Sequence, residues 1–489
     1  MTAAEKIPLG ICERFFEHLN RENLRYCHWK SNEHLPEALA GETDLDLLFA
    51  PDERGRLARV LDALDFKKIC SPAEKRYPGM EDFLGFDQAS GALVHLHVHY
   101  ALVLGRQHQK NHHLPIESAL LDDVRTQGLV RVPSAEMEML LLVIRANMKL
   151  SLFRLLRRWR RPGISLLPTA IVREFHFLSH DWDEERFSSV VRDSGLPLPE
   201  SRLRAFVSSV LDRSLTTRDL YRIRSTVFRS LRGYRRSNPV LAELRGLRGR
   251  FFRSRLARNL TPRKKTLPGR GPVVALVGAD GAGKTALSGD LRAWLSWKLL
   301  APPAYFGIPK QARGYRALRW ATARLRSPRL SAAGRAFRSS AARLEQRLRA
   351  AQWLLVARHR LYEYHRAQRL AERGAVVVAD RYPLDVFHSM EEPMDGPRIR
   401  RELGEAAARS AAREEALYAR IGPPSRVWVL RTSLENLRTR KPGLDRVAHE
   451  RKVAAVNAIE PTELFTVVDG ERSYEEVLSE LKRRLWSLL

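Results

Sequence analysis

Residues 278–285 read GADGAGKT and follow directly on the apolar run Val273-Val274-Ala275-Leu276-Val277. A G-x-x-x-x-G-K-[ST] loop at the end of a buried strand commits its surroundings to an α/β fold, because strand, loop and helix must succeed one another within a few residues. Gly278, Gly281 and Gly283 let the backbone N–H groups of the loop, with Asp280 and Ala282 between them, turn inward around phosphate oxygens where a Cβ would obstruct. Lys284 is placed to reach the β- and γ-phosphates, and the Thr285 hydroxyl to ligate Mg²⁺. A helix starting near Lys284 aims its positive end at the same phosphates. The loop therefore predicts binding of a nucleoside triphosphate, ATP with Mg²⁺; the alternative is a chance glycine-rich turn.

The rest of residues 271–489 follows an alternating plan. Strands are expected at 272–277, 303–307, 375–379, 426–431 and 464–468. Helices are expected from the loop to about 299, over a long tract 313–372, and at 398–420, 447–458 and 473–488, with a basic loop at 438–446. Five short apolar strands separated by helices predict a doubly wound, five-stranded parallel sheet of the P-loop NTPase kind. One strand ends in Asp380-Arg381-Tyr382, where an arginine stands in place of a second acid. That arginine suits a bidentate grip on a phosphate oxygen, or else a strand-end ion pair. Arg438, Arg440, Lys441 and Arg446 in the basic loop are candidates to neutralise charge on a transferring phosphoryl group, against the reading of a solvated helix end. The closing VVDGERSYEEV reads as strand, Asp469-Gly470 turn and a helix capped by Ser473.

With GADGAGKT, DRY at 380–382, RTRKPGLDR at 438–446 and VVDGERSYEEV in this order, residues 271–489 resemble the thymidylate kinase family of nucleoside monophosphate kinases. The resemblance implies that Lys284 and Thr285 handle the ATP phosphates and Mg²⁺. It implies that Arg381 contacts the acceptor phosphate, that Asp380 supports the metal or the arginine, and that Arg440 and Arg446 act from a lid. The second strand runs on as AYFGIPK at 304–310, without the acid and arginine that the family carries there. A tract over 310–349 follows, with twelve Lys/Arg and Glu345 as its one acid. A more anionic or bulkier acceptor than dTMP, such as a phosphorylated sugar, fits such a lining; a solvated arginine-rich helical hairpin is the plainer reading.

Residues 1–134 read as an α+β domain, 135–240 as a helical extension and 241–270 as a basic linker. In the first domain, GETDLDLLF places Asp44 and Asp46 two apart, on one face of a strand. VHLHVHY does the same for His95, His97 and His99. With WKSNEHLPEALAGET before them, these segments resemble a family of uncharacterised bacterial nucleotidyltransferase-like proteins built on Lys-Gly, a DlDl strand and a vDlHw strand. Here the Lys-Gly position is Lys30-Ser31 and the third carboxylate is His95. Two readings follow. Either Asp44, Asp46 and His95 form an altered metal site for a softer ion than Mg²⁺, or the fold is kept without chemistry.

Charge is uneven. Residues 1–130 carry 15 Lys/Arg against 20 Asp/Glu, whereas 131–489 carry 70 against 36, within an overall +29. The excess is mostly arginine and is open to a compositional explanation. It also leaves open nucleic acid or an anionic membrane surface as partners, with Tyr315, Trp320, Phe337 and Trp353 interleaved in the basic tract. A second copy of the chain is a further candidate partner. No run is long enough to span a membrane. Three scattered cysteines, Cys12, Cys27 and Cys70, and the absence of a leader pattern lead us to expect a cytoplasmic protein. The leading expectation is an ATP-dependent phosphotransferase acting on a phosphorylated small molecule. A bifunctional kinase of a glycan pathway is the alternative, and a nucleic-acid-associated P-loop protein a weaker one.

Overall fold

The computed structural model describes residues 6–106, 108–149, 166–253, 264–326, 335–384, 395–440 and 446–489. Within these, the side chains of 250, 252–253, 335–339, 446 and 448–449 lie outside the described set, and so does that of Phe337. Residues 150–165 of the expected helical extension, linker residues 254–263 and loop residues 441–445, Lys441 included, also lie outside it. The chain divides into two compact units, Met1–Lys265 and Thr266–Leu489.

The first unit is built on strands β1 (Tyr26–His28), β2 (Asp44–Phe49), β3 (Lys67–Ile69), β4 (Met80–Phe86) and β5 (Leu93–His99). They form one mixed sheet in the order β1-β2-β5-β4-β3. Only β2 and β5 run parallel, with Asp44 opposite His95 and Asp46 opposite His97. Two hairpins follow, β6 (Leu102–Leu104) with β7 (His112–Leu114) and β8 (Val124–Gln127) with β9 (Val130–Pro133). One core joins the helices Gly10–Arg21 and Arg54–Ala63 to the sheet through Phe15, Phe16, Leu45, Leu47 and Leu96. A second core gathers Cys27, Trp29 and Leu48 with the helix Ala135–Lys149 and the four helices between Thr169 and Ser230. The helical extension thus belongs to the same compact body as the sheet. Two of its helices start on side-chain caps: Asp183 accepts from the Arg186 N–H and Thr216 from the Asp219 N–H.

The second unit carries β10 (Val273–Gly278), β11 (Pro303–Tyr305), β12 (Val377–Asp380), β13 (Arg426–Arg431) and β14 (Phe465–Asp469). Every pairing is parallel and the order is β11-β12-β10-β13-β14. Central β10 is buried along its whole length, which is why it reads as an unbroken apolar run rather than an alternation. The expected helix 398–420 is two helices, Ile399–Leu403 and Ala408–Tyr418, separated at Gly404, whose φ of +61° ends the first. The tract 313–372 holds the helices Arg313–Leu325 and Arg335–Glu372. The last helix, Tyr474–Trp486, opens on a full capping box between Ser473 and Glu476. No described helix is long and apolar enough to cross a membrane.

Candidate functional site

The loop after β10 turns tightly because Gly281 and Gly283 hold φ of +98° and +83°. At Gly278 a Cβ would come 2.9 Å from the Leu430 carbonyl oxygen of β13. The helix Lys284–Leu295 begins directly on Gly283, so its free N–H groups face the loop. Lys284 is only 6% exposed. Its ammonium folds over the loop and donates to the carbonyls of Gly278 (2.9 Å) and Ala279 (2.7 Å). Burial, and then the nearby Arg381, push its pKa down to about 8, against the pull of Asp280, Asp380 and Asp395.

Thr285 donates its hydroxyl to Asp380 Oδ2 at 2.7 Å, from the end of β12. The other carboxylate oxygen, Oδ1, is buried with no hydrogen-bond partner among the described residues. A hydroxyl paired with a half-satisfied carboxylate beside the phosphate loop is an oxygen donor set that fits Mg²⁺.

Arg381 follows at φ +67°, a left-handed backbone that non-glycine residues rarely take. Its neighbours hold it there. Its own N–H bonds Leu276 O of β10, and Tyr382 is locked in the core against Phe306 with its hydroxyl donating to Gly422 O at 2.8 Å. The guanidinium so presented binds Asp280 Oδ1 at 2.8 Å and lies 3.6 Å from Asp395 Oδ2. Burial disfavours its charge, but Asp395 and Asp280 outweigh that and raise its pKa. Asp280 also accepts from Lys452 at 2.9 Å. Burial alone would raise the Asp280 pKa; Lys452, Arg381 and Lys284 reverse this and hold it well below the usual carboxylate range. Behind these groups, fully buried Arg360 clamps the Phe306 carbonyl (2.7 Å), the Tyr418 hydroxyl (2.6 Å) and Asp395 Oδ1 (2.7 Å). Lys284, Arg381, Arg398 and Lys452 thus line one pocket with Asp280 and Asp395.

The lid expected from sequence is arranged differently. Arg438 and Arg440 sit on a helix, Leu434–Arg440, rather than in a loop. Arg438 pairs with Glu450 at 3.3 Å, and Arg440 donates to the Gly470 carbonyl at 3.1 Å, outside the pocket lining. Arg446 begins the helix Arg446–Asn457, and its side chain is outside the described set. Among the described side chains of that helix, Lys452 reaches the pocket, six residues after Arg446, and it was missed from sequence. Arg360, Asp395 and Arg398 were missed too. In the basic tract, Trp320 is 62% exposed beneath Arg324, and Arg326 pairs with Glu345, as on a solvated helical hairpin.

In the first unit, Asp44 and Asp46 do face the histidines of β5. His95 sits between two carboxylates, 2.9 Å from Asp44 through Nδ1 and 3.2 Å from Asp82 through Nε2. Asp46 is instead surrounded by His97 (3.1 Å), His99 (3.5 Å) and the Lys30 ammonium (2.8 Å). Burial would raise the Asp46 pKa, but Lys30 and the two imidazoles hold it far down. Burial, then His97, pushes the His99 pKa down to about 3. Ser31 takes φ +57°, so the serine at the expected glycine position adopts the left-handed turn glycine would take.

No family model matches the chain. The uncharacterized ATP-binding protein YghR of Escherichia coli strain K12 is 26% identical over 237 residues, covering 45% of this chain and 88% of that protein. YghR of Escherichia coli O6:H1 strain CFT073 matches to the same extent. Among solved structures, thymidylate kinase from Candida albicans is 15% identical and covers 45% of this chain and 92% of its own, with a TM-score of 0.29.

Proposed function

We propose that the unit Thr266–Leu489 is an ATP-dependent phosphotransferase of the thymidylate kinase type, moving the γ-phosphoryl of ATP onto a phosphorylated small molecule. The observation that carries this reading is the meeting of the phosphate loop with Arg381 and Lys452 across Asp280. A transferase needs a second cationic wall facing its phosphate loop, to hold an anionic acceptor in line. The ATP-binding name of YghR agrees with the donor side.

In this reading the loop N–H groups and Lys284 cradle the donor phosphates. Thr285 and Asp380 would hold Mg²⁺, which would offset charge on the donor phosphates. Arg381 grips the acceptor phosphate, and Lys452 neutralises charge on the oxygens in flight. Asp280 keeps both cations in place until phosphate displaces it. Transfer forms a bond from an acceptor oxygen to the γ-phosphorus and breaks the bond to the β–γ bridging oxygen, releasing ADP. The four basic groups that line the pocket among the described residues favour an acceptor that is itself phosphorylated, a nucleoside monophosphate or a sugar phosphate.

The test is ATP consumption by the purified protein with dTMP and sugar phosphates, beside Lys284→Ala. Acceptor-dependent turnover lost in the variant, with the same melting profile, supports the proposal. Turnover that survives Lys284→Ala refutes it.

A further inference from the structure

The kinase reading leaves the histidine face of the first unit without a task. His97 and His99 stand two apart on β5, so both imidazoles leave the strand on one side. Asp46 enters from parallel β2, in register with His97. One ligand atom from each of the three lies within 4.8 Å of the others. Asp46 Oδ1 is 3.1 Å from His97 Nδ1 and 3.5 Å from His99 Nε2. Zinc bonds of about 2.0–2.1 Å in a tetrahedron give ligand-to-ligand edges of about 3.3–3.4 Å, which the two separations bracket.

A second observation is independent of that spacing. His99 is 1% exposed, and neither ring nitrogen has a hydrogen-bond partner among the described residues. A buried imidazole with no hydrogen bond at either nitrogen, and with only the 3.5 Å approach of Nε2 to Asp46 Oδ1 to offset its burial, is costly and calls for an explanation. His95, by contrast, has both nitrogens engaged, on Asp44 and Asp82. The neighbours resemble an outer shell: His97 Nε2 lies 3.9 Å from Asp82 Oδ1, a carboxylate anchored in turn by Lys265 at 2.6 Å. Asp46 and His97 are partly exposed, which leaves a way in from solvent.

We propose that Asp46, His97 and His99 bind one divalent transition-metal ion of the zinc type. This set excludes Asp44 and His95, two of the three ligands expected from sequence. Two imidazoles and one carboxylate suit Zn²⁺ or Co²⁺ over Mg²⁺. Three protein ligands leave a fourth position open, as in zinc sites that hold a water or a substrate. Lys30 Nζ, 2.8 Å from Asp46 Oδ1, supplies the positive charge there until the metal replaces it.

The experiment is titration of the chelator-treated full chain with Zn²⁺ against a fluorescent chelator, with Co²⁺ absorption as a reading of geometry. One Zn²⁺ per chain is expected, with a tetrahedral Co²⁺ spectrum. His97→Ala, at a partly exposed position, and the size-conserving His99→Gln should each weaken binding by about 100-fold or more. Lys30→Met, which removes the competing cation, should strengthen it. Zinc should raise the melting temperature of the wild type and not of the histidine variants. No saturable binding by the wild type, or binding unchanged in both histidine variants, overturns the proposal. ATP turnover plays no part in these readings, so this inference and the kinase proposal fail separately.

Discussion

Arg381 offers a pair of substitutions that should differ in stability while losing turnover alike. Its φ of +67° places a Cβ-bearing residue in the left-handed region. Such a residue costs about 1–2 kcal/mol, a penalty that alanine shares and glycine escapes. Glycine loses about 0.5–1 kcal/mol through the greater freedom of its unfolded chain. Both Arg381→Ala and Arg381→Gly strip the guanidinium from Asp280 and Asp395, so that loss cancels between them. Arg381→Gly should therefore be more stable than Arg381→Ala by roughly 0.5–1 kcal/mol, about 1–4 °C in melting temperature for a unit of this size. Both should lose about 100-fold or more in kcat/KM, since each lacks a cation aimed at phosphate. Calorimetry of the full chain with acceptor-dependent ATP turnover reads both quantities. Alanine as stable as glycine would refute the strain argument. Retained turnover in either variant would refute the role of the side chain.

Other outcomes follow from the same geometry. Lys284, with its pKa pushed down to about 8 in the free protein, regains its proton when phosphates neutralise its surroundings. Nucleotide binding should thus take up about half a proton at pH 8, more at pH 9 and almost none at pH 6.5, and affinity should fall as pH rises through 8. Calorimetry in buffers of different ionisation enthalpy measures this, and no uptake between pH 8 and 9 would count against a buried ammonium on the phosphates. Lys452→Ala should lower kcat/KM by about 10- to 100-fold. It should shift stability by under about 1 kcal/mol, because the pair with Asp280 is a quarter exposed; unchanged kinetics would remove Lys452 from the site. Gly271→Ala places a Cβ 2.0 Å from the Ala375 carbonyl oxygen and should destabilise the protein by about 1–3 kcal/mol, with neutral behaviour in a denaturant melt contradicting that packing.

The sheet of the second unit was legible because its inner strands β10, β12 and β13 are continuous apolar runs, which is what burial on both faces demands. The phosphate loop was legible because all its parts lie within eight residues. The opposite wall of the pocket was not. Lys452 meets Asp280 across 172 residues, and Arg360 and Asp395 pair across 35, so no local pattern joins them. Arg440 looked like a lid cation by position in its motif, yet it spends a donor on Gly470 O. In the first unit the alternation of β2 and β5 disclosed two polar faces, but β4, which supplies Asp82, has no clean alternation. With Asp82 unseen, nothing in the sequence told that His95 is held between two carboxylates while His99 makes no hydrogen bond among the described residues. Ser31 escaped notice as a left-handed residue because only glycine advertises that conformation.

The central claim is transfer, as opposed to hydrolysis. The direct measurement follows the label from γ-labelled ATP after incubation with the wild-type protein and a panel of nucleoside monophosphates and sugar phosphates. The account predicts label in one phosphorylated acceptor, in equal amount to the ADP formed, and none with Lys284→Ala. Label released only as inorganic phosphate whatever acceptor is present would contradict it.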